Sequence, residues 1–254
     1  MPRSRLSKIA VLGCALALLP ASAFAGGALV RVNGLVLRAD GGFQPSSLPR
    51  HQFVPIHFEG YADIAATDGG TPPALEQAVV DFDRDGRLTP GGLPVCPPER
   101  VAEASTAEAR QVCAGAIVGS GRIEASIGLA SGPVAVRSPL TIFNGPPLGG
   151  QPTVVLHAQT TMPSTQTYAI VVPIERRRGR YRYRATVDLP PIAAGLGAIT
   201  HIAVRVGRRF SVNGQRHSYV SAHCSSGILK THGRFTFADG TIIDGNVETA
   251  CTPR

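Results

Sequence analysis

Most of the chain alternates apolar and polar residues or carries short β-branched runs, and Gly, Pro or Asn bounds nearly every run. Alternation with period two is the mark of half-buried strands. Ala28–Val32 and Leu35–Ala39 flank Asn33-Gly34, a strong hairpin-turn signal. Gln52–Ile64 reads as one longer strand, with Pro55 placing it at an edge or a bulge. Ala78–Phe82 is a short apolar strand running into the Asp83–Gly86 turn. Further strands are expected over Arg122–Leu129, Val134–Phe143, Thr153–Gln159, Thr167–Pro173, Arg180–Leu189 and Ile199–Val206. Arg209–Val212 and Gln215–Ala222 flank Asn213-Gly214, and Leu229–Phe237 and Thr241–Val247 flank Asp239-Gly240, giving two more hairpins.

One segment breaks the pattern. Glu99–Val112 is rich in the helix formers Ala, Glu and Arg, and Pro97-Pro98 precedes it. Ser105 with Glu108 three residues on has the capping-box form, which points to a two-turn helix starting there. Cys96 and Cys113 bracket the segment and would pin a helix too short to stand alone in water. The fold class predicted is all-β: an antiparallel β-sandwich with one short disulfide-bracketed helix.

The first 25 residues stand apart. Arg3, Arg5 and Lys8 precede an apolar run from Ile9 to Leu19, and Ala23-Phe24-Ala25 supplies the small residues that a signal peptidase reads. Residues 1–25 are therefore expected to be a cleaved signal peptide, leaving 26–254 as a single exported domain. Cys14 follows Gly13, but the apolar run continues past it, which argues against lipidation. No later segment is long and apolar enough to span a membrane. The remaining cysteines, Cys96, Cys113, Cys224 and Cys251, allow three pairings, and an even count in an exported chain reads as a disulfide framework. The local pairs Cys96–Cys113 and Cys224–Cys251 are favoured, since each closes a short loop inside one apparent unit.

Composition narrows the classes. Gly (29) and Pro (21) are too frequent for a long-helix protein and show no collagen period, while a charged fraction of 17% is too low for a disordered polyelectrolyte. Lys and Arg outnumber Asp and Glu by 25 to 17, so the net charge is +8. Nucleic acid is nonetheless a poor partner for an exported chain with no Trp on which bases could stack.

The charge is concentrated. Arg176, Arg177, Arg178, Arg180, Arg182 and Arg184 fall within nine residues. On a strand, Arg180, Arg182 and Arg184 would share one face and Tyr181 and Tyr183 the other, with the Arg176–Gly179 run as a hairpin tip. Guanidinium groups capture planar anions bidentately, so these six are the candidate ligand-binding residues. An exported protein would meet such anions on an envelope polymer or an envelope protein. The competing reading is a solvated edge, charged against aggregation.

A second candidate is Asp81, Asp83 and Asp85, which open like a calcium loop, with Gly86 after the third carboxylate. The closing position carries Gly92 instead of Glu, so calcium is only a partial fit and no other cofactor is implied. His57 and Glu59 alternate on one strand as an acid–base pair would. No HExxH, GxSxG or phosphate-cradling glycine loop is present.

The strings VVDFDRDGRL with GLPVC, SPLTIFNG, YRYRATVDLPPIAAGLGAITHIAVRVG and SAHCSSGILKTHGRFTFADGTIIDGNVETAC lie within residues 76–251. In them the chain resembles an uncharacterised family of exported, β-rich actinobacterial proteins. That resemblance implies a signal peptide, a β-rich fold and paired cysteines. It implies no activity and no functional residue. The expectation is a non-enzymatic exported protein that binds an anionic envelope component. The alternative is a secreted hydrolase working near His57 and Glu59 or through a metal near Asp81–Asp85.

Overall fold

A computed structural model describes residues 26–254. The expected leader, residues 1–25 with Cys14, lies outside the described residues. The chain opens with β1 (Ala28–Val32), β2 (Leu35–Gln44), β3 (Ser47–Leu48), β4 (Val54–Pro55) and β5 (His57–Ala66). Then come β6 (Leu75–Asp83), β7 (Gly86–Leu88), the helix α1 (Thr106–Val112), β8 (Ile117–Leu129), β9 (Gly132–Leu148) and β10 (Gln151–Thr160). There follow β11 (Gln166–Arg176), β12 (Tyr181–Asp188), β13 (Gly197–Val206), β14 (Arg209–Val212), β15 (Gln215–Ser218) and β16 (Val220–Ala222). The chain closes with β17 (Ile228–Phe237), β18 (Ile242–Ala250) and β19 (Thr252–Pro253).

Twelve strands join one antiparallel sheet in the order β1-β2-β5-β13-β8-β9-β10-β11-β12-β6-β17-β18. The sheet is nearly barrel-shaped, because its two edge strands curl toward each other. Gly245 on β18 makes that approach possible. A Cβ there would sit 3.2 Å from the Ala28 methyl of β1. Asn33-Gly34 and Asn213-Gly214 turn as expected, with φ of 48° and 79°, and of 49° and 78°. Positive φ at both central positions is what a hairpin of this twist needs.

The expected single strand Gln52–Ile64 is instead β4 and β5, interrupted at Ile56. Pro55, which has no N–H for a central ladder, falls on β4 in a small sheet of order β4-β16-β7. The helix takes the shorter of the two readings. Ser105 Oγ accepts the Glu108 N–H and Glu108 Oε2 accepts the Ser105 N–H, a full capping box. Losing such a cap costs about 1 kcal/mol.

Apolar side chains occupy both faces of the long strands. Facing inward, Leu37, Ile64, Ile199, Phe235 and Ile243 form one cluster, and Leu140, Ile142, Ala158 and Tyr219 form another. On the outer face Phe143 and Val155, both fully buried, lie beneath Val101, Ala109 and the Cys96–Cys113 bridge. Each such side chain is worth about 1.5–3 kcal/mol of burial, which α1 alone lacks. The bridges are Cys96–Cys113 and Cys224–Cys251, with Cα separations of 5.6 and 6.1 Å. Two disulfides fit an oxidising compartment. Among the described residues no helix is long and apolar enough to cross a membrane.

Candidate anion-binding site at one end of the sheet

β11 and β12 form the predicted hairpin, and residues 177–180 make its tip, with Gly179 at φ 104°. Arg176, Arg177, Arg178 and Arg180 are exposed there. The expected sorting of faces fails just below the tip. A bulge at Arg182 pairs Tyr181 with Asp83 but Tyr183 with Phe82. Phe82 and Asp83 are consecutive on β6 and point to opposite faces, so the two tyrosines do too. Tyr183 is buried, with its hydroxyl accepting the Leu88 N–H (3.3 Å). Tyr181 lies outside, its hydroxyl donating to Asn246 Oδ1 (3.3 Å) and its ring centroid 6.2 Å from that of His232.

The arginines divide accordingly. Arg184 is spent on Asp81, donating from Nε and Nη2 to the two carboxylate oxygens at 2.8 Å each. Those bonds hold the Asp81 carboxyl below its ordinary value, against the opposing effect of burial. Arg182 lies over the Phe53 ring with Cζ 5.3 Å from the centroid, and Arg87 lies 5.2 Å from the same centroid. His223 meets that ring edge-on at 4.7 Å. Arg177 is 3.9 Å from Glu175. Among the described residues no carboxylate lies within ion-pair distance of Arg176, Arg178, Arg180 or Arg182.

The three aspartates do different work. Asp83 Oδ1 accepts the Asp85 N–H (2.9 Å) and its Oδ2 accepts the Lys230 N–H (2.8 Å). Asp85, buried, accepts the Ser225 N–H (2.8 Å) and sits 3.5 Å from His223 Nε2. Each carboxylate is thus satisfied by its own donors. Among the described residues no group of three or more His, Cys, Asp and Glu side chains is placed to hold a metal ion.

These bonds tie the Asp83–Gly86 turn to the hairpin and to the segment after Cys224. Arg84 N–H completes the tie by donating to Arg180 O (3.0 Å). Between the three segments opens a cleft of about 480 Å³, whose wall includes Arg84, Arg180, Lys230, Asp83, Ser225 and Ser226. Lys230 Nζ is 2.6 Å from Glu248, and Arg84 is 4.0 Å from Asp85 with its side chain 65% exposed. The arrangement brings Arg84 and Arg180, from two turns far apart in sequence, to the wall of one polar cleft. That suits an extended anion with more than one charge.

His57 and Glu59 are not joined by a hydrogen bond among the described residues. Glu59 instead pairs with Arg205 across the ladder (3.0 Å). Sequence reasoning missed Phe53, Arg84, Arg87, Lys230 and His223. Arg84 and Arg87 stand on either side of Asp85 in DRDGRL, within the run read for its carboxylates. It also missed two histidines with structural partners. His201 Nδ1 is 2.6 Å from Asp63, and the fully buried His157 donates from Nε2 to Ala104 O (3.1 Å). Burial pushes the His157 imidazole below its ordinary value.

No protein-family model, curated protein or solved structure matches the chain.

Proposed function

We propose that this is an exported, non-enzymatic protein that binds an anionic envelope polymer at its arginine-rich end. One observation carries the reading. Three segments far apart in sequence converge to put Arg84, Arg180 and Lys230 around one cleft, and Arg176 and Arg178 are exposed on the same hairpin as Arg180. A solvated edge needs exposed charge but no such convergence. The phosphates or carboxylates of a polymer would cross the cleft and extend along the hairpin tip. The expected leader and the two disulfides support placing the protein outside the cytoplasm.

The test is co-sedimentation of the oxidised protein with purified cell envelope over a range of salt concentrations. Binding should fall steeply as salt shortens the screening length from about 30 Å at 0.01 M toward 3 Å at 1 M. Arg84→Ser with Arg180→Ser should weaken low-salt binding at least tenfold while leaving thermal stability unchanged. Arg184 is left in place, because Asp81 depends on it. Pelleting that is equal in the double variant, or insensitive to salt, rejects the proposal.

A further inference from the structure

The other half of the molecule holds a cavity. It lies on the inner face of the sheet, away from the arginine hairpin, and measures about 120 Å³. Ile64, Ile123, Ala158, Ile170, Ile199 and Phe235 are among the side chains that line it. Three hydroxyl-bearing residues also reach the wall, and each hydroxyl is occupied. Ser138 Oγ donates to Gln159 O (2.7 Å) and Thr160 Oγ1 to Met162 O (3.0 Å). Tyr168 OH donates to Gln166 Oε1 (2.7 Å) and accepts the Ala193 N–H (3.3 Å). The wall therefore presents carbon. Water needs two to four polar partners, so it gains little here. Apolar cavities of about 150 Å³ in other proteins stay dry and take up benzene or xenon.

One connecting segment borders this cavity. Leu189, Pro190 and Ile192 contribute to the wall and belong to the connection between β12 and β13. Within it Ala193, Ala194 and Gly195 have φ of 49°, 55° and 91°. Two consecutive alanines in the left-handed region are strained, and such strain persists only where the surroundings enforce it. Three bonds enforce it here. Gly197 N–H donates to Ile192 O and Gly128 N–H to Leu196 O, both at 2.9 Å, and Ala193 N–H reaches Tyr168 OH. Leu196 remains 54% exposed.

We infer that this cavity is a binding site for a small, wholly apolar molecule of about benzene's size, and that residues 189–197 are the strap it must pass. The ligand carries no charge and no hydrogen-bonding group, because nothing in the wall would satisfy one. This site is independent of the arginine cleft and needs no counter-charge, so its binding is insensitive to salt.

Benzene is the probe. The oxidised protein, labelled at Ile methyl groups, is titrated to benzene saturation and followed by NMR. Saturable shifts are expected at Ile64, Ile123, Ile170 and Ile199 and not at Ile56 or Ile228. A higher melting temperature should accompany them. Ala158→Leu fills the cavity and should weaken binding at least tenfold. If circular dichroism shows that variant unfolded, Ala125→Val serves in its place. Absent shifts in the natural protein, shifts spread equally to Ile56 and Ile228, or undiminished binding in the folded filled variant would overturn the site. Ala194→Gly relaxes the strap in its closed form and should slow benzene exchange several-fold. Unchanged exchange would overturn the strap.

Discussion

β11 and β12 form one hairpin, and its two ends are built differently. At Arg176–Tyr181 they finish in exposed guanidinium groups over a polar cleft. At Tyr168, Ile170 and Val187 the same two strands face a carbon-lined cavity. The polar end is held by particular pairings: Arg184 on Asp81, and the Asp85, Lys230 and Ser225 N–H groups on Asp83 and Asp85. The apolar end is held by area, and it tolerates an unfilled volume. Directional bonds fix a charged surface whose members would otherwise repel. Burial holds a wall without fixing what fills the space behind it. The two ends should therefore fail under different stresses.

The largest effect is expected at the apolar end. Ile199 is 2% exposed and lines the cavity. Ile199→Ala should cost about 3–5 kcal/mol, the upper part of the range for such truncations, because a neighbouring void cannot collapse onto the space. Urea unfolding with an unchanged m-value checks it, and a loss below about 1 kcal/mol would mean that the cavity end is not a packed wall. Next comes Asp81→Ala at the polar end. It strands Arg184 and leaves His232 facing no carboxylate at that position. Removing one member of a buried pair costs about 3–5 kcal/mol, but Arg184 is one-third exposed, so about 2 kcal/mol is expected. The two variants also separate by pH. The folded carboxyl of Asp81 is lowered, so its contribution is complete above the ordinary value of 3.8 and is lost as pH falls through the lower folded value. The natural protein and Ile199→Ala should both lose this increment in acid, whereas Asp81→Ala has none to lose. Parallel acid titrations of all three would contradict the role given to the Arg184 bonds.

Much of the fold was legible in the sequence, and the illegible part has a common cause. Local signals sufficed for the Asn-Gly hairpins, the Ser105 cap and the cysteine pairs, since each depends on residues close in the chain. The Arg176–Arg184 run was visible as a hairpin, but the bulge at Arg182 was not. A bulge is set by the register with β6, a strand about a hundred residues earlier. The same holds for Arg84 and Lys230, which join Arg180 only through long-range pairing. The cavity could not be read at all. Ile64, Ile123, Ile170 and Ile199 each look like ordinary inward strand residues. Only the curl of the sheet decides that the space between them is not filled.

The smallest effect separates strain from packing by making one substitution in two places. Ala194 has φ 55°, a region that costs an L-residue about 1–2 kcal/mol and costs glycine almost nothing. Glycine gives back about 0.5–1 kcal/mol through the freedom it adds to the unfolded chain. Ala194→Gly should therefore stabilise the protein by about 0.5 kcal/mol. Ala125 is 5% exposed within β8 and also lines the cavity. There glycine gains no conformational relief and removes a buried methyl, so Ala125→Gly should destabilise by about 1 kcal/mol or more. Opposite signs, read as shifts in denaturant midpoint, would show that the strap over the cavity carries backbone strain while the strand beneath it does not. A destabilised Ala194→Gly would mean instead that the left-handed turn is held by contacts of the Ala194 methyl, and the strap would then be part of the wall.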